Sequence, residues 1–427
     1  MDNIQVNQYD NHDQTNEKEY SHKKKKQFLA ISLFLFIGML IEYFTRDISK
    51  QYTIKWFGGK GKERCSELDH FEFYSFGGRY ILLFLIMTYV NIPAGLSYIF
   101  LDCFGVFING IFRFFYFDDR PFWVHPEYTP CFCAIDYGNP STTGINTFLM
   151  FAVFYKCFTY KSTNKIFKYS LFFVCAANII YVMVIRMLQN IHYFHQLLYG
   201  FILGYYIYYI YFEILEINFD NKDQFISILE KWKGISFLTI IAWSTITFIH
   251  IKLNLQPPNK EVIQQIEKNC SLVPLFAFDH ESYTKSVRIF EFLGCFIGSY
   301  LEYVLIFGYD KDKFLQYNVI SQEKMYTKTH CLISLLRFLV FFIIQNYLLS
   351  NIILGKKNFD NFWNLPLVQG LIIQQVIPLF IHGLCVFFLI KILVRYLWLT
   401  NEKVWENEIE KIECREEEDK LFPITLN

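Results

Sequence analysis

Apolar runs long enough to cross a lipid bilayer recur along this chain, and they constrain its fold more than any other feature. They lie at about 28–44, 79–94, 97–117, 142–158, 168–187, 195–213, 235–253, 287–307, 331–353 and 367–397. A membrane-spanning helix needs roughly 20 predominantly apolar residues, and only helices and closed barrels satisfy their backbone groups in lipid. The pattern predicts an all-α, polytopic transmembrane helical bundle of about nine to ten spans.

Composition agrees with a membrane protein in contact with lipid. The chain is 53% hydrophobic and 20% aromatic, which is too apolar for an ordinary soluble domain. Its 40 basic and 40 acidic residues balance, so the chain lacks the positive net charge that would favour binding to nucleic acid. The 11 cysteines fall mostly inside apolar runs and show no zinc-type spacing, so we expect neither a metal nor another cofactor. Cys131 and Cys133 are the only close pair, which is weak evidence for a disulfide.

The chain divides into three parts. Residues 1–27 are polar and are predicted to be a disordered cytosolic tail, residues 28–397 form one transmembrane domain, and residues 398–427 are a charged cytosolic tail. The basic run Lys23 to Lys26 precedes the first apolar run, which we interpret as an uncleaved signal anchor. Basic residues beside a first span favour a cytosolic N-terminus.

The stretch 79–117 decides the topology of everything that follows it. With Asn91 and Pro93 at a turn, it reads as a hairpin of two short spans, and the alternative is one long kinked helix. The hairpin makes the lysine-rich connection 156–168 cytosolic, in agreement with the positive-inside rule. The glycosylation sequon at Asn269 then falls on the opposite, lumenal side.

Three polar clusters stand at the ends of apolar runs, and the hairpin topology puts all three on the lumenal side. They are Arg113–Pro121, Asn139–Gly144 and Arg186–Gln196. Each has a plainer structural explanation taken alone, because arginines at helix ends extend to lipid headgroups and most lone histidines are packed or hydrogen-bonded. Together they could form a phosphate pocket, since arginines bind phosphate oxygens in a fork and a histidine can attack phosphorus.

The order and spacing of these clusters resemble a known signature. The first cluster has an arginine, six further residues and then Arg-Pro. The second has Pro-Ser, and the third has an arginine, five further residues and a histidine. This pattern resembles the signature of the type 2 phosphatidic-acid phosphatase and haloperoxidase superfamily. Within it, the chain resembles the glucose-6-phosphatase family over roughly residues 79–310. Arg120-Pro121-Phe122-Trp123 stands where that family has Arg-Pro-Tyr-Trp, and His192-Tyr193-Phe194-His195-Gln196 carries its glutamine in place of the superfamily's usual aspartate. The segment Cys270 to Gly298 looks like the corresponding loop and helix.

The resemblance implies a role for each matching residue. Arg113, at a position that is usually lysine, would bind the phosphate with Arg120 and Arg186. Ser141 and Thr142 would complete the cradle, and His195 would support it. His192 would be the nucleophile that forms a phosphohistidine, which water then hydrolyses. Arginines would supply the positive charge that phosphoryl transfer requires, so no metal is implied.

The resemblance also implies a biological setting. It indicates hydrolysis of a sugar phosphate or similar monoester, a role in gluconeogenesis and a location in the endoplasmic reticulum. The active site would be lumenal, and the partners would be membrane lipid, the phosphorylated small molecule and a sugar-phosphate transporter.

One departure from the family pattern affects catalysis. The second motif of the family is Pro-Ser-Gly-His, and its histidine protonates the leaving alcohol; here Thr143 takes that position. Losing a general acid typically costs about 10²–10⁴-fold in rate, so we expect weak hydrolysis of glucose 6-phosphate but measurable hydrolysis of p-nitrophenyl phosphate. Three residues could substitute as the acid: His125, Asp136 and His195.

Two alternatives stay open at this point. A lipid-phosphate phosphatase of the same superfamily is one, and Gln196 argues against it. A non-catalytic pseudophosphatase or structural membrane subunit is the other, and Thr143 favours it.

Overall fold

A computed structural model describes residues 3–58, 65, 78–125, 127–131, 133–134, 136–219, 221–253, 260–270, 285–315 and 372–389 of the 427. Every regular element in these ranges is helical, and none of the described residues lies in a β-strand. The predicted all-α fold is therefore confirmed. The predicted run at 331–353 and the tail from 398 lie outside the described residues.

Thirteen α-helices are described. They are α1 Asn3–Phe57, α2 Gly78–Tyr89, α3 Ile92–Tyr116, α4 Pro121–Val124, α5 Thr142–Thr159, α6 Lys165–Leu188, α7 Phe194–Tyr209, α8 Lys222–Glu230, α9 Trp232–Leu253, α10 Lys260–Cys270, α11 Ile289–Leu301, α12 Lys311–Leu315 and α13 Ile377–Leu384. Short π-helical turns continue α7 over Ile210–Ile214 and α11 over Glu302–Ile306, and two more flank α13 at Ile372–Val376 and Cys385–Leu389.

Six helical segments among the described residues are long and apolar enough to cross a membrane. They are Tyr20–Phe57, Ile92–Arg113, Lys165–Leu188, Phe194–Ile214, Trp232–Ile249 and Ile289–Ile306. Helix α5 packs against α3, α6 and α7 at the centre of this bundle. The chain is thus a membrane protein with a helical core.

The stretch 79–117 is a hairpin. Asn91 separates α2 from α3 and caps α3 by accepting a hydrogen bond from the Ala94 amide at 2.8 Å. The two helices run back along each other, since Arg79 Nη1 lies 2.9 Å from Asp102 Oδ2 although 23 residues separate them. One continuous helix would place these residues about 34 Å apart, so the kinked-helix alternative is wrong.

Helix α1 is much longer than the predicted span of residues 28–44. It begins at Asn3, inside the segment predicted as a disordered tail, and continues to Phe57. Lys24 pairs with Glu216 at 2.9 Å, and Lys50 pairs with Asp118 at 2.7 Å. Lys50 follows Lys24 by 26 positions, which is about 39 Å along a helix. Helix α1 therefore runs the whole length of α7 and reaches the polar clusters beside the N-terminal end of α7.

A disulfide joins Cys65 to Cys131, with their Cα atoms 5.1 Å apart. Cys133 also forms a disulfide bond. Cys131 and Cys133 therefore do not pair with each other, because the fold brings a cysteine 66 positions earlier in the chain against Cys131. The bond fixes the segment after α1 to the loop between the first and second polar clusters.

Two glycines set the distance between α5 and α7. A Cβ atom at Gly144 would lie 2.6 Å from the Leu197 carbonyl oxygen, and one at Gly200 would lie 2.4 Å from the Ser141 carbonyl oxygen. Both obstacles are backbone atoms, which cannot rotate away as a side chain can. Because Gly144 and Gly200 have no side chains, α5 and α7 can pack closely, which brings the second and third polar clusters together.

We expect Gly144→Ala and Gly200→Ala each to lower the free energy of unfolding by about 1–3 kcal/mol, because an added methyl group overpacks this contact. The matched control is Gly234→Ala in α9, where an added Cβ meets no atom within 4 Å. That change should raise helix stability by about 1 kcal/mol. Thermal unfolding midpoints in detergent would test whether Gly144→Ala and Gly200→Ala unfold at lower temperature than the natural protein and Gly234→Ala. Unchanged midpoints for Gly144→Ala and Gly200→Ala would contradict the close-packing argument.

Candidate active site

The three polar clusters meet at one end of the bundle. The C-terminal end of α3 carries Arg113, the N-terminal end of α5 carries the second cluster, and the third cluster spans the turn between α6 and α7. The loop after α3 then turns back, and the Gly138 amide donates to the Asp118 carbonyl oxygen at 2.8 Å. Residues far apart in sequence thus line one buried polar site.

Arg113 joins the first cluster to the second. Its Nε donates to the Pro140 carbonyl oxygen at 3.2 Å, and its Nη2 donates to Thr142 Oγ1 at 3.0 Å. One helical turn earlier, the Asn109 side chain donates to the same Pro140 oxygen and accepts from the Thr142 hydroxyl at 2.7 Å. Sequence reasoning missed the role of Asn109, although its spacing of four residues from Arg113 puts both on one helix face.

Ser141 caps α5. Its Oγ accepts a hydrogen bond from the Gly144 amide at 3.3 Å, and its own amide donates to the Gln196 carbonyl oxygen at 3.0 Å. The first turn of α5 therefore begins beside Arg113. The N-terminus of a helix carries partial positive charge, which favours an anion there.

Arg120 is almost completely buried, and backbone oxygens fix its orientation. Its Nε donates to the Asp136 carbonyl oxygen at 2.6 Å, and its Nη1 donates to the Ile191 carbonyl oxygen at 3.0 Å. The neighbouring residues Phe122 and Trp123 in α4 are also buried and pack with α10. The Arg-Pro-Phe-Trp segment thus anchors the guanidinium between the first and third clusters.

One carboxylate, that of Asp136, lies among three cations. It pairs with Arg113 Nη1, with Arg120 Nη2 at 2.5 Å and with Lys285 Nζ. Asp136 is only 1% exposed. These four side chains carry a formal charge of +2, counted as three cations and one anion, which suits a doubly charged anion such as a phosphate monoester.

His192 lies beside this ion cluster and is 3% exposed. Its Nε2 is 3.3 Å from Arg120 Nη1, and its Nδ1 is 3.2 Å from Gln196 Oε1. Since a guanidinium can only donate, Nε2 is the accepting nitrogen. Nδ1 therefore carries the proton, and the lone pair of Nε2 is directed toward the cluster.

Hydrogen bonds also fix the orientation of the Gln196 amide. Its Nε2 donates to Asp118 Oδ2 at 2.7 Å and to the Asp119 carbonyl oxygen at 2.9 Å, while its Oε1 accepts from the Tyr193 amide at 3.2 Å. A flipped amide would place Oε1 against two acceptors. The glutamine thus caps α7 and holds the His192 tautomer.

The charge state of His192 follows from its surroundings. Burial, followed by the charges of Arg120 and Arg113, lowers the pKa of His192 well below its usual value, and the Gln196 hydrogen bond opposes this only in part. A lowered pKa means that the ring is neutral at neutral pH, with the Nε2 lone pair available. A neutral imidazole beside two arginines is a nucleophile suited to an anionic centre.

Arg186, the first residue of the third cluster, contacts a residue that follows it in the same cluster. It is partly buried at the end of α6, and its Nη1 donates to Gln189 Oε1 at 3.0 Å. Its charge also contributes to lowering the pKa of His192. The structure therefore places Arg186 in the electrostatic surroundings of the histidine.

The residues weighed as substitute proton donors have other partners. His125 lies 3.6 Å from Glu127 and stacks obliquely on Tyr128. His195 Nε2 is 2.8 Å from Asp118 Oδ2, and its Nδ1 is 3.2 Å from Ser49 Oγ. Asp136 is held as a carboxylate by three cations. Thr143 lies in the first turn of α5, partly buried.

Helix α1 adds side chains that sequence reasoning did not connect with this site. Thr53 Oγ1 accepts from the Phe194 amide at 3.0 Å, and Ser49 Oγ accepts from the His195 amide at 2.9 Å, so together they cap the start of α7. Lys50 pairs with Asp118. Although burial by itself raises the pKa of Asp118, the His195 hydrogen bond, the His195 charge and Lys50 lower it well below its usual range.

Lys285 is a second residue that sequence reasoning missed. It lies four residues before α11, about 90 positions after the third cluster, and none of the three polar clusters contains it. A lysine directly before an apolar run is usually an interfacial anchor, so nothing in the local sequence distinguishes it.

We expect Asp136→Asn to destabilise the protein by about 3–5 kcal/mol in the absence of an anion, since three buried cations lose their shared counter-charge. Vanadate, a phosphate analogue, should then raise the thermal unfolding midpoint more in the variant than in the natural protein. Asp223→Asn is the control, because Asp223 forms an exposed pair with Lys311 and its loss should change little. Equal vanadate shifts in all three proteins would show that no anion enters the cluster.

Comparison with known proteins agrees with this geometry at the level of the superfamily. Residues 94–220 match the model of the PAP2 superfamily, and this range holds all three polar clusters but not Lys285. The match does not distinguish the glucose-6-phosphatase family within it. No curated protein and no solved structure matches the chain. Residues 94–220 therefore resemble the PAP2 superfamily, and they lie within a helical membrane protein whose three polar clusters meet at one end of the bundle.

Proposed function

We propose that this protein is a membrane-embedded phosphoric monoester hydrolase that works through a phosphohistidine intermediate on His192. The observation that carries the proposal is the buried, neutral imidazole whose Nε2 faces Arg120, directly beside a cluster with a formal charge of +2. The match of residues 94–220 to the PAP2 superfamily supports phosphatase chemistry independently.

Substrate binding uses the positive charges around Asp136. The phosphate group takes the place of the Asp136 carboxylate against Arg113 and Arg120, whose guanidinium groups match its oxygens as forks. The Thr142 hydroxyl and the first turn of α5 add donors and the positive end of a helix dipole. Backbone oxygens hold both guanidinium groups in place before the substrate arrives, so the main rearrangement that binding requires is the displacement of the Asp136 carboxylate.

The chemical step transfers the phosphoryl group to nitrogen. The Nε2 lone pair forms the bond to phosphorus as the bond to the ester oxygen breaks, and that oxygen leaves with a proton. The Nδ1–H bond to Gln196 stabilises the positive ring that results, with Asp118 behind the amide. Water then attacks the phosphohistidine, which releases phosphate and restores neutral His192.

The substrate class in this proposal is a sugar phosphate or a similar small monoester. The support for it is Gln196, the residue in which the third motif resembles the glucose-6-phosphatase family rather than the wider superfamily. Assaying glucose 6-phosphate, other sugar phosphates and phosphatidic acid in parallel would separate this class from a lipid-phosphate phosphatase.

His192→Ala should abolish hydrolysis of p-nitrophenyl phosphate by the purified protein in detergent, because the nucleophile is lost. His125→Ala is the matched control, since that ring lies against Glu127 and Tyr128, and its activity should stay within about twofold. Activity should be insensitive to chelators and inhibited by vanadate. Rapid quenching at alkaline pH should trap acid-labile phosphate on the natural protein. Unchanged hydrolysis by His192→Ala would disprove the proposal.

We also propose that the site faces the lumen of the endoplasmic reticulum and that the N-terminus is cytosolic. The basic run Lys23–Lys26 supports this orientation, and so does the Cys65–Cys131 disulfide, since such bonds persist in oxidising compartments. The packing of Lys24 and Lys50 at opposite ends of α7 supports a membrane between them.

Glycosylation tags would test this orientation. A tag inserted between residues 125 and 130 should be modified in the endoplasmic reticulum, whereas a tag at the N-terminus should not. A tag in the 160–164 connection is the internal control and should also stay unmodified. Modification of the N-terminal and 160–164 tags, with the 125–130 tag left unmodified, would reverse the orientation.

A further inference from the structure

The proposed reaction leaves one proton unaccounted for. An alkoxide is a poor leaving group, so its departure from phosphorus needs a proton donor. The Thr143 hydroxyl cannot act as an acid near neutral pH. Among the residues weighed from sequence, Asp136 is a paired carboxylate, His195 is held by Asp118 and Ser49, and His125 lies against Glu127.

Lys285 enters the same ion cluster from outside the matched residues 94–220. Its Nζ pairs with Asp136 Oδ2, and its side chain is 18% exposed, so it is largely buried yet reachable from solvent. The next residues, Ser286 and Val287, are fully buried, and the Ser286 amide nitrogen packs beside Gly110 of α3. The backbone that carries the ammonium group is therefore anchored against the helix that carries Arg113.

We propose that Lys285 is the general acid of this enzyme and takes over the role of the histidine that Thr143 replaces. This inference rests on the proposed phosphatase function.

The two oxygens of Asp136 support this assignment. Oδ1 pairs with Arg120, whose guanidinium contacts His192 Nε2, whereas Oδ2 pairs with Lys285. If a phosphoryl group takes the place of this carboxylate, the nucleophile and the ammonium group approach it from different sides. Attack in line with the leaving oxygen requires that separation.

The environment also makes Lys285 a usable acid. Burial lowers its pKa to about 7, whereas an ordinary lysine releases its proton only near pH 10. A donor with a pKa near the working pH holds its proton in a large share of molecules and still gives it up readily. Asp136, Arg113 and Arg120 are the charged side chains that face it in the cluster, with Arg288 one turn later on its own segment.

The proton balance closes over one turnover. As the bond from His192 Nε2 to phosphorus forms and the bond from phosphorus to the ester oxygen breaks, the Lys285 ammonium group gives its proton to that oxygen. The neutral amine then takes a proton from the water that attacks the phosphohistidine. Phosphate leaves, and both His192 and Lys285 return to their starting states.

Lys285→Arg separates this role from simple phosphate binding. Arginine keeps the positive charge but holds its proton at any physiological pH. The measured quantity is kcat/KM, because it reports formation of the phosphohistidine and not its later hydrolysis. We expect kcat/KM for an alkyl monoester such as glycerol phosphate to fall about 10²–10⁴-fold. The fall for p-nitrophenyl phosphate, whose phenolate leaves without much protonation, should be less than about tenfold.

A second substitution tests whether the missing function is a proton donor. Adding Thr143→His to Lys285→Arg should restore a large part of the alkyl ester activity. The change supplies a histidine at the position of the general acid in the glucose-6-phosphatase family, which the chain resembles. The matched control is Lys268→Arg, a change at an exposed lysine in α10 that should alter neither substrate's kcat/KM. Folding of every variant is checked by its thermal unfolding midpoint.

The outcomes separate this inference from the proposed function. An equal loss on both substrates, with no rescue by Thr143→His, would show that Lys285 only binds phosphate, and the phosphatase proposal would stand. If the natural protein hydrolyses neither substrate, or if His192→Ala hydrolyses both, the phosphatase proposal itself fails.

Discussion

The site depends on one interaction, the sharing of the buried Asp136 carboxylate by Arg113, Arg120 and Lys285. Buried charges are tolerated only when they are paired, and removing one partner is costly. The loop that carries Asp136 must therefore lie against the C-terminal end of α3 and the segment just before α11, regardless of the local conformational preferences of its residues. This requirement brings Lys285, which lies outside the matched residues 94–220, into the same site as the three polar clusters. The same four side chains therefore stabilise the fold and form the proposed phosphate site.

A second layer of contacts holds His192, the proposed nucleophile. Gln196 is a neutral amide, so it can relay the effect of the Asp118 carboxylate to His192 without placing a negative charge directly on the ring. Asp118 is in turn held by Lys50 of α1 and by His195, and Ser49 caps the helix that begins at Phe194. Helix α1 is thus part of the wall of the site, in addition to any role as a membrane anchor.

Much of the site could be predicted from the sequence, because motif spacing reflects local geometry. Arg113 and Arg120 bracket a helix end, and Ser141 precedes an apolar run as helix caps do. The hairpin at 79–117 was one of two alternatives, and only the Arg79–Asp102 pair decides between them. The partner of Cys131 and the approach of Lys285 could not be predicted, since both depend on contacts between residues 66 or more positions apart.

The sequence by itself determined that this chain is a helical membrane protein and that its polar motifs lie at helix ends, because hydropathy and capping act over a few neighbouring residues. The tertiary structure decided which of those polar groups share one site, which tautomer His192 adopts and how far α1 reaches. It also decided that Lys285, which lies outside the three polar clusters, joins the ion cluster around Asp136. These properties follow from close packing, such as the contact of Gly144 with Gly200, and from the need to pair buried charges. Neither of these can be read from the order of residues along one segment.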